Sequence, residues 1–129
     1  MRVLLDTHIW IWLLEDPQRI AAPVLQQLEA ADTLVLSIAS LWEIAIKTEL
    51  GKLEMTASPE AVRDEILHEM RAKELVINAA HAFGAARLPR LHKDPFDRML
   101  IAQAQIEHLI LATADAAIRQ YGGAVLWAI

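Results

Sequence analysis

The stretch "HKDPFDRMLIAQAQIEHLILATAD", residues 92–115, contains one full unit of the plan on which this chain is built. Asp94 is placed to cap a helix, Pro95 fits its first position and Asp97 its third, and the helical pattern runs to about residue 107. "LILAT" then follows, strand-sized and without polar alternation, as suits a parallel strand buried on both faces. The unit closes on a second acid, Asp115.

Outward from this unit the pattern repeats. "RVLL", "TLVLS", "ELVIN" and "GAVLW" are also short runs rich in Val, Ile and Leu, and helical patterns cover roughly 18–31, 39–50, 60–73 and 79–87. Pro17, Pro23, Pro59, Pro89 and Pro95 fall near helix starts or in loops. Gly51 stops the 39–50 helix, and Gly122–Gly123 turns the chain into the last strand. Strands alternating with helices predict an α/β fold: a three-layer α/β/α sandwich around a central, mostly parallel five-stranded sheet.

The 129 residues support one core, so a single domain over 1–129 is expected. An apolar share of 55% with 22% charged residues excludes disorder and is high enough that a partner could cover some of it. The absence of cysteine excludes disulfides and thiolate metal sites. A formal charge of −5 gives no general attraction to nucleic acid, so any such binding needs a local basic patch. The opening "MRVLLDTHIWIWLLEDP" imitates a signal peptide, but Asp6 and His8 interrupt it and no small-residue cleavage site follows closely. With no run of membrane-spanning length either, a cytoplasmic protein without a membrane partner is expected.

In an open parallel sheet, ligands bind beyond the carboxyl ends of the strands. Asp6 follows "RVLL", Glu43 lies early in the helix after "TLVLS", and Asp115 follows "LILAT". The helix that Asp97 opens runs antiparallel to the strands, so its start belongs at the same edge. Each acid has an ordinary reading: Ser40-x-x-Glu43 fits a capping box, Asp97 the first turn of a helix, Asp115 a cap for residues 116–121, and Asp6 a turn. Periodicity argues otherwise for two. Leu100, Ile101 and Ala104 follow Asp97 at helical spacing, and Ala39, Ile46 and Leu50 share the stripe of Glu43. An acid at a helix start contributes roughly 0.3–1 kcal/mol. Two carboxylates about 4 Å apart repel by on the order of 4 kcal/mol at an effective dielectric of 20. If the four converge, a cation must offset them, and an all-oxygen site selects Mg²⁺ or Mn²⁺ over zinc.

"LLDTHIWIWLL", "LSIASLWEIAIKTELGKL", "LPRLHKDPFDRMLIAQA" and "LATAD" together resemble the PIN-domain ribonucleases, more narrowly the VapC-type toxins of bacterial toxin–antitoxin pairs in the branch beginning "LLDTH". The resemblance covers essentially the whole chain in the right order. It implies a central parallel sheet, one or two Mg²⁺ or Mn²⁺ ions held by acids, and endonucleolytic cleavage of RNA by an activated water, leaving 5′-phosphate and 3′-hydroxyl ends. Carried over by motif, the catalytic and metal-binding acids are Asp6, Glu43, Asp97 and Asp115, with Thr7 and Thr113 as supporting hydroxyls. His8 stands where many PIN domains have Ser or Asn, though it is usual in this branch. The resemblance also implies a cognate antitoxin and a second toxin subunit as partners.

Lys47, Arg90, Lys93 and Arg98 lie close enough in sequence to the acids to neutralise RNA phosphates, or are solvated surface charge. His8 and His92 are read as packing or capping residues before proton carriers, and His68, His81 and His108 as surface residues. Trp42 is assigned to the core before a base-stacking role. "HIWIWLL" is apolar on nearly every helical face, so it is buried all round or offers Trp10 and Trp12 to a partner. Two rival readings fit less well. A receiver-type signalling domain needs adjacent acids after the first strand and an acid after the third, whereas here Asp6 stands alone and "ELVIN" ends in Asn78. A PIN fold that binds RNA or protein without cutting has no need of all four acids.

Overall fold

A computed structural model describes all of residues 1–129. Five strands, β1 (Arg2–Leu5), β2 (Thr33–Ser37), β3 (Lys73–Leu75), β4 (Ile110–Thr113) and β5 (Val125–Trp127), form one sheet in the order β3-β2-β1-β4-β5. Every pairing is parallel, including Leu5 opposite Ala112 and Ser37 opposite Leu75. The expected three-layer sandwich is therefore present, and its sheet is wholly parallel.

Seven helices cover the sheet: α1 (Thr7–Glu15), α2 (Ala22–Ala30), α3 (Ile38–Glu49), α4 (Pro59–His68), α5 (Ala79–Arg87), α6 (Pro95–Ile106) and α7 (Ala116–Arg119). The period-2 geometry of the strands divides their side chains between two cores. Val3, Leu5, Leu36 and Ala112 face Ile9 and Trp10 of α1, Val24 and Leu28 of α2, and Val62 and Ile66 of α4. Leu4, Val35 and Leu111 face Leu100, Ile101 and Ala104 of α6 and Ile118 of α7. Strands buried on both sides explain why "RVLL" and "LILAT" carry no alternation.

The chain differs from expectation at three elements. "HIWIWLL", whose pattern marks no helix boundary, is helix α1, with Ile9 and Trp10 buried and Ile11 to Leu14 half-buried. Helix α4 ends at His68, short of residue 73, because Arg71 takes a left-handed conformation at φ 54° and turns the chain into β3. Strand β3 stops at Leu75, since it is an edge strand paired only with β2, and Asn78 already caps α5.

Chain direction in the sheet fixes where ligands can gather. From β1 the connections run outward to β2 and β3, then return across to β4 and β5. The order reverses between β1 and β4, and such a reversal opens a crevice at the carboxyl ends of those two strands. Asp6 and Asp115 stand at those two ends.

Candidate metal centre

Asp6 is the first residue beyond β1 and is 3% exposed. Its Oδ1 accepts the Ile9 amide at 3.0 Å, capping α1, and its Oδ2 accepts the Thr113 hydroxyl. Burial pushes its pKa up, against the opposing pull of those two hydrogen bonds. Thr113 Oγ1 also accepts the Asp115 amide at 3.0 Å, so one hydroxyl ties the ends of β1 and β4 together. Asp115 does cap α7, its Oδ1 accepting the Ala117 amide at 2.8 Å. Capping uses only part of a carboxylate's acceptor capacity and leaves lone pairs for a second partner.

Glu43 lies inside α3 and is 2% exposed. Helix α3 begins at Ile38 with Ser37 as its cap, so the Ser40–Glu43 capping box does not form. Ser40 is instead buried and its Oγ accepts the Thr7 hydroxyl at 3.0 Å, joining α1 to α3. Glu43 Oε2 takes a hydrogen bond from Lys47 Nζ at 2.5 Å, while Oε1 is buried with no partner at all. A buried carboxylate oxygen left bare is costly. The ammonium of Lys47 is held by Glu43 and feels Asp94 and Asp97 as well, which raises its pKa.

Asp94 caps α6, its Oδ1 accepting the Asp97 amide at 3.0 Å. Asp97 points inward, with Leu100, Ile101 and Ala104 of its stripe buried. Its Oδ2 lies 2.8 Å from His92 Nε2, and that same nitrogen is 3.7 Å from Asp115 Oδ2. Burial is the largest influence on Asp97 and lifts its pKa from 3.8 to about 6. The His92 contact opposes this, while Asp94, Asp6 and Glu43 add to it. All four predicted acids therefore sit at one edge. His92, which the sequence favours as a packing residue, joins them: ligand atoms of His92, Asp97 and Asp115 all lie within 4.8 Å of one another. The bare Glu43 oxygen, the elevated Asp97 and this hard-oxygen set with one imidazole suit a divalent cation.

The basic residues divide. Lys47 is committed to Glu43, and Arg98 to the chain around it. The Arg98 guanidinium donates to the carbonyls of Ala85, Leu88, Pro89 and His92 at 2.8 to 3.2 Å and to the Tyr121 hydroxyl at 3.3 Å. It positions the loop that carries His92, and its donors are not directed at a phosphate. Arg90 and Lys93 are exposed. Two further expectations are corrected. Trp42 is 60% exposed, not core, because the buried stripe of α3 is Ala39, Ser40, Glu43 and Ile44. His81 is fully buried: its Nδ1 accepts the Asn78 amide at 3.2 Å in a capping box and lies 3.3 Å from Gln103 Nε2.

Known proteins share this fold. Residues 3–124 match the PIN domain family. The chain is 31% identical over 121 residues to ribonuclease VapC22 of Mycobacterium tuberculosis, covering 92% of this chain and 91% of that one. Its fold is similar to the VapBC2 complex of Rickettsia felis bound to a promoter DNA fragment, with TM-score 0.75, 17% identity and full coverage of both chains. It also resembles VapBC-1 of nontypeable Haemophilus influenzae, with TM-score 0.71, 19% identity and 98% of each chain covered. Family match, relative and fold agree with the motifs, and the chain belongs to the PIN-domain family as a VapC-type member.

Proposed function

We propose that this protein is a Mg²⁺- or Mn²⁺-dependent endoribonuclease, the toxin of a bacterial type II toxin–antitoxin pair acting in the cytoplasm. The observation that carries the reading is the cluster of His92, Asp97 and Asp115 within 4.8 Å of one another, at the same carboxyl edge as Asp6 and Glu43, with a bare buried oxygen on Glu43 and an Asp97 carboxyl whose pKa is lifted to about 6. Lys47 is the one lysine or arginine paired with these acids, and it is held by Glu43. The likeness to a mycobacterial ribonuclease supports RNA as substrate.

In this reading the four acids hold the cation, with His92 as a further candidate ligand or positioning residue. A divalent ion there supplies positive charge for phosphate oxygens and acidifies water. The remaining work falls to the chain. Thr113 and the Ile9 amide fix both oxygens of Asp6, so that acid needs no reorganisation when substrate arrives. His92 Nε2, 2.8 Å from Asp97 and 3.7 Å from Asp115, holds these two carboxylates in place beside each other. Arg90 and Lys93, exposed near the His92 loop, offer charge to the RNA backbone, a local basic contribution on a chain of net charge −5.

The similarity to solved VapBC complexes supports an antitoxin partner, and a second toxin subunit is proposed to cover the half-buried apolar residues of α1. The test is direct. Purified free of any antitoxin, the protein should cut a mixed RNA pool with Mg²⁺ or Mn²⁺, leave 5′-phosphate ends and stop in EDTA. Equal cutting in EDTA would overturn the metal-dependent reading.

A further inference from the structure

Two aromatic rings flank predicted ligands in sequence, each one residue before an acid. Trp42 precedes Glu43 on α3 and Phe96 precedes Asp97 on α6. Their centroids are 5.5 Å apart and their planes meet at 78°, an edge-to-face pair. Phe96 is half-buried and braces Trp42, which leaves 60% of its surface in solvent. A tryptophan this exposed gives up most of the stabilisation that its burial would bring. Packing therefore does not account for its place.

We propose that Trp42, braced by Phe96, is a stacking platform for an unpaired base of the RNA next to the bond being cut. The proposal rests on the ribonuclease reading above and adds the residue that seats the substrate. Two considerations favour a base. Cations stand near the pair in sequence, Lys93 before Phe96 and Lys47 one turn beyond Glu43, although the apolar face of α3 runs on from Trp42 through Ile46 to the exposed Leu50. Aromatic faces beside cations are the recurrent arrangement for single strands, because every base offers a π-face. The rings also join the same two helices that carry Glu43 and Asp97, so a base on Trp42 lies on the α3–α6 side of the site.

The experiment measures binding apart from cutting. A fluorescent oligo(A) decamer and an abasic ribose-phosphate decamer of equal charge are titrated by anisotropy in the Asp97→Asn background. That background is expected to stop cutting and removes one negative charge. Cleavage of mixed RNA by the otherwise unaltered protein is followed in parallel. Oligo(A) should bind about 5- to 150-fold more tightly than the abasic chain, the range for one stacked base. Adding Trp42→Ala should erase most of that preference while leaving abasic binding and its salt dependence unchanged. Trp42→Tyr should restore most of it, which a merely structural role does not predict. If Trp42→Ala leaves the preference intact while the protein still cuts RNA, the platform is overturned and the ribonuclease reading stands. If the protein neither binds nor cuts RNA, both fall. If Trp42→Ala weakens only association with an antitoxin, the ring is a protein contact and the proposal is wrong.

Discussion

Replacing Asp97 by Asn should make the metal-free protein more stable, because the native fold holds this carboxylate where its charge is unwelcome. The pKa of Asp97 is 3.8 when unfolded and about 6 in the fold, so the folded protein holds its proton more tightly. Ionising the group therefore costs stability progressively as pH rises from 3.8 to about 6, and the full cost persists above that window. A shift of this size corresponds to roughly 3 kcal/mol at most, reduced by whatever solvent reaches the site. The amide that replaces the carboxyl stays neutral at every pH and can still meet His92. In EDTA at pH 7.5, Asp97→Asn should exceed wild type by roughly 2 kcal/mol, which for a domain of this size is on the order of 10 °C in Tm. The advantage should fade to nothing near pH 4. Added Mg²⁺ should reverse the order, since a ligand at about 100 times its Kd stabilises wild type by roughly 2.7 kcal/mol and the mutant has lost a ligand. Thermal scans at two pH values, with EDTA and with Mg²⁺, contain the whole test. A role confined to the helix dipole predicts the opposite sign in EDTA, a loss of roughly 0.3–1 kcal/mol, and no change in the Mg²⁺ response. That outcome would refute the reasoning.

Thr113→Val removes the hydroxyl that binds Asp6 and the Asp115 amide; it should cost roughly 1–3 kcal/mol by denaturant titration and most of the RNA cleavage, with Thr113→Ser restoring both. Arg98→Ala strands four carbonyls and should cost roughly 2–3 kcal/mol, little of it recovered by Lys, whose single ammonium cannot reproduce the planar fork. If Arg98→Ala instead keeps its stability and loses RNA affinity at low salt, its role is phosphate binding after all. Lys47→Met leaves Glu43 without its counter-ion; metal-free stability should fall by roughly 1–3 kcal/mol, and Mg²⁺ should raise Tm more than in wild type because it no longer competes with the ammonium.

The sheet is readable because its strands are buried on both faces, so "RVLL" and "LILAT" stand out as unbroken apolar runs. Asp97 is readable for a related reason, since Leu100, Ile101 and Ala104 of its stripe are buried; Glu43 is buried too, but of its expected stripe only Ala39 is, with Ile46 half-buried and Leu50 exposed. What escapes is set by tertiary contacts or by signals that cancel. Helix α1 has apolar residues around its whole circumference, which erases the periodicity that marks a helix. Residue type alone sends Trp42 to the core, although the stripe through Ala39 and Glu43 already places it on the outer side of α3. His81 is buried by a reciprocal cap with Asn78, a pairing that N-x-x-H does not announce. His92 reaches the acids only because Arg98 and the Tyr121 hydroxyl, which accepts the His92 amide at 2.8 Å, fold its loop back over α6.

The most direct test of the account sets Asp94 against Asp97, two aspartates three residues apart that it assigns to different work. Both are changed to Asn, and each purified variant is assayed for cleavage of a mixed RNA pool with Mg²⁺. Asn caps a helix about as well as Asp, so Asp94→Asn should keep most of the activity. Asp97→Asn should lose it while remaining folded by circular dichroism. An active Asp97→Asn beside an inactive Asp94→Asn would contradict the assignment of the metal centre.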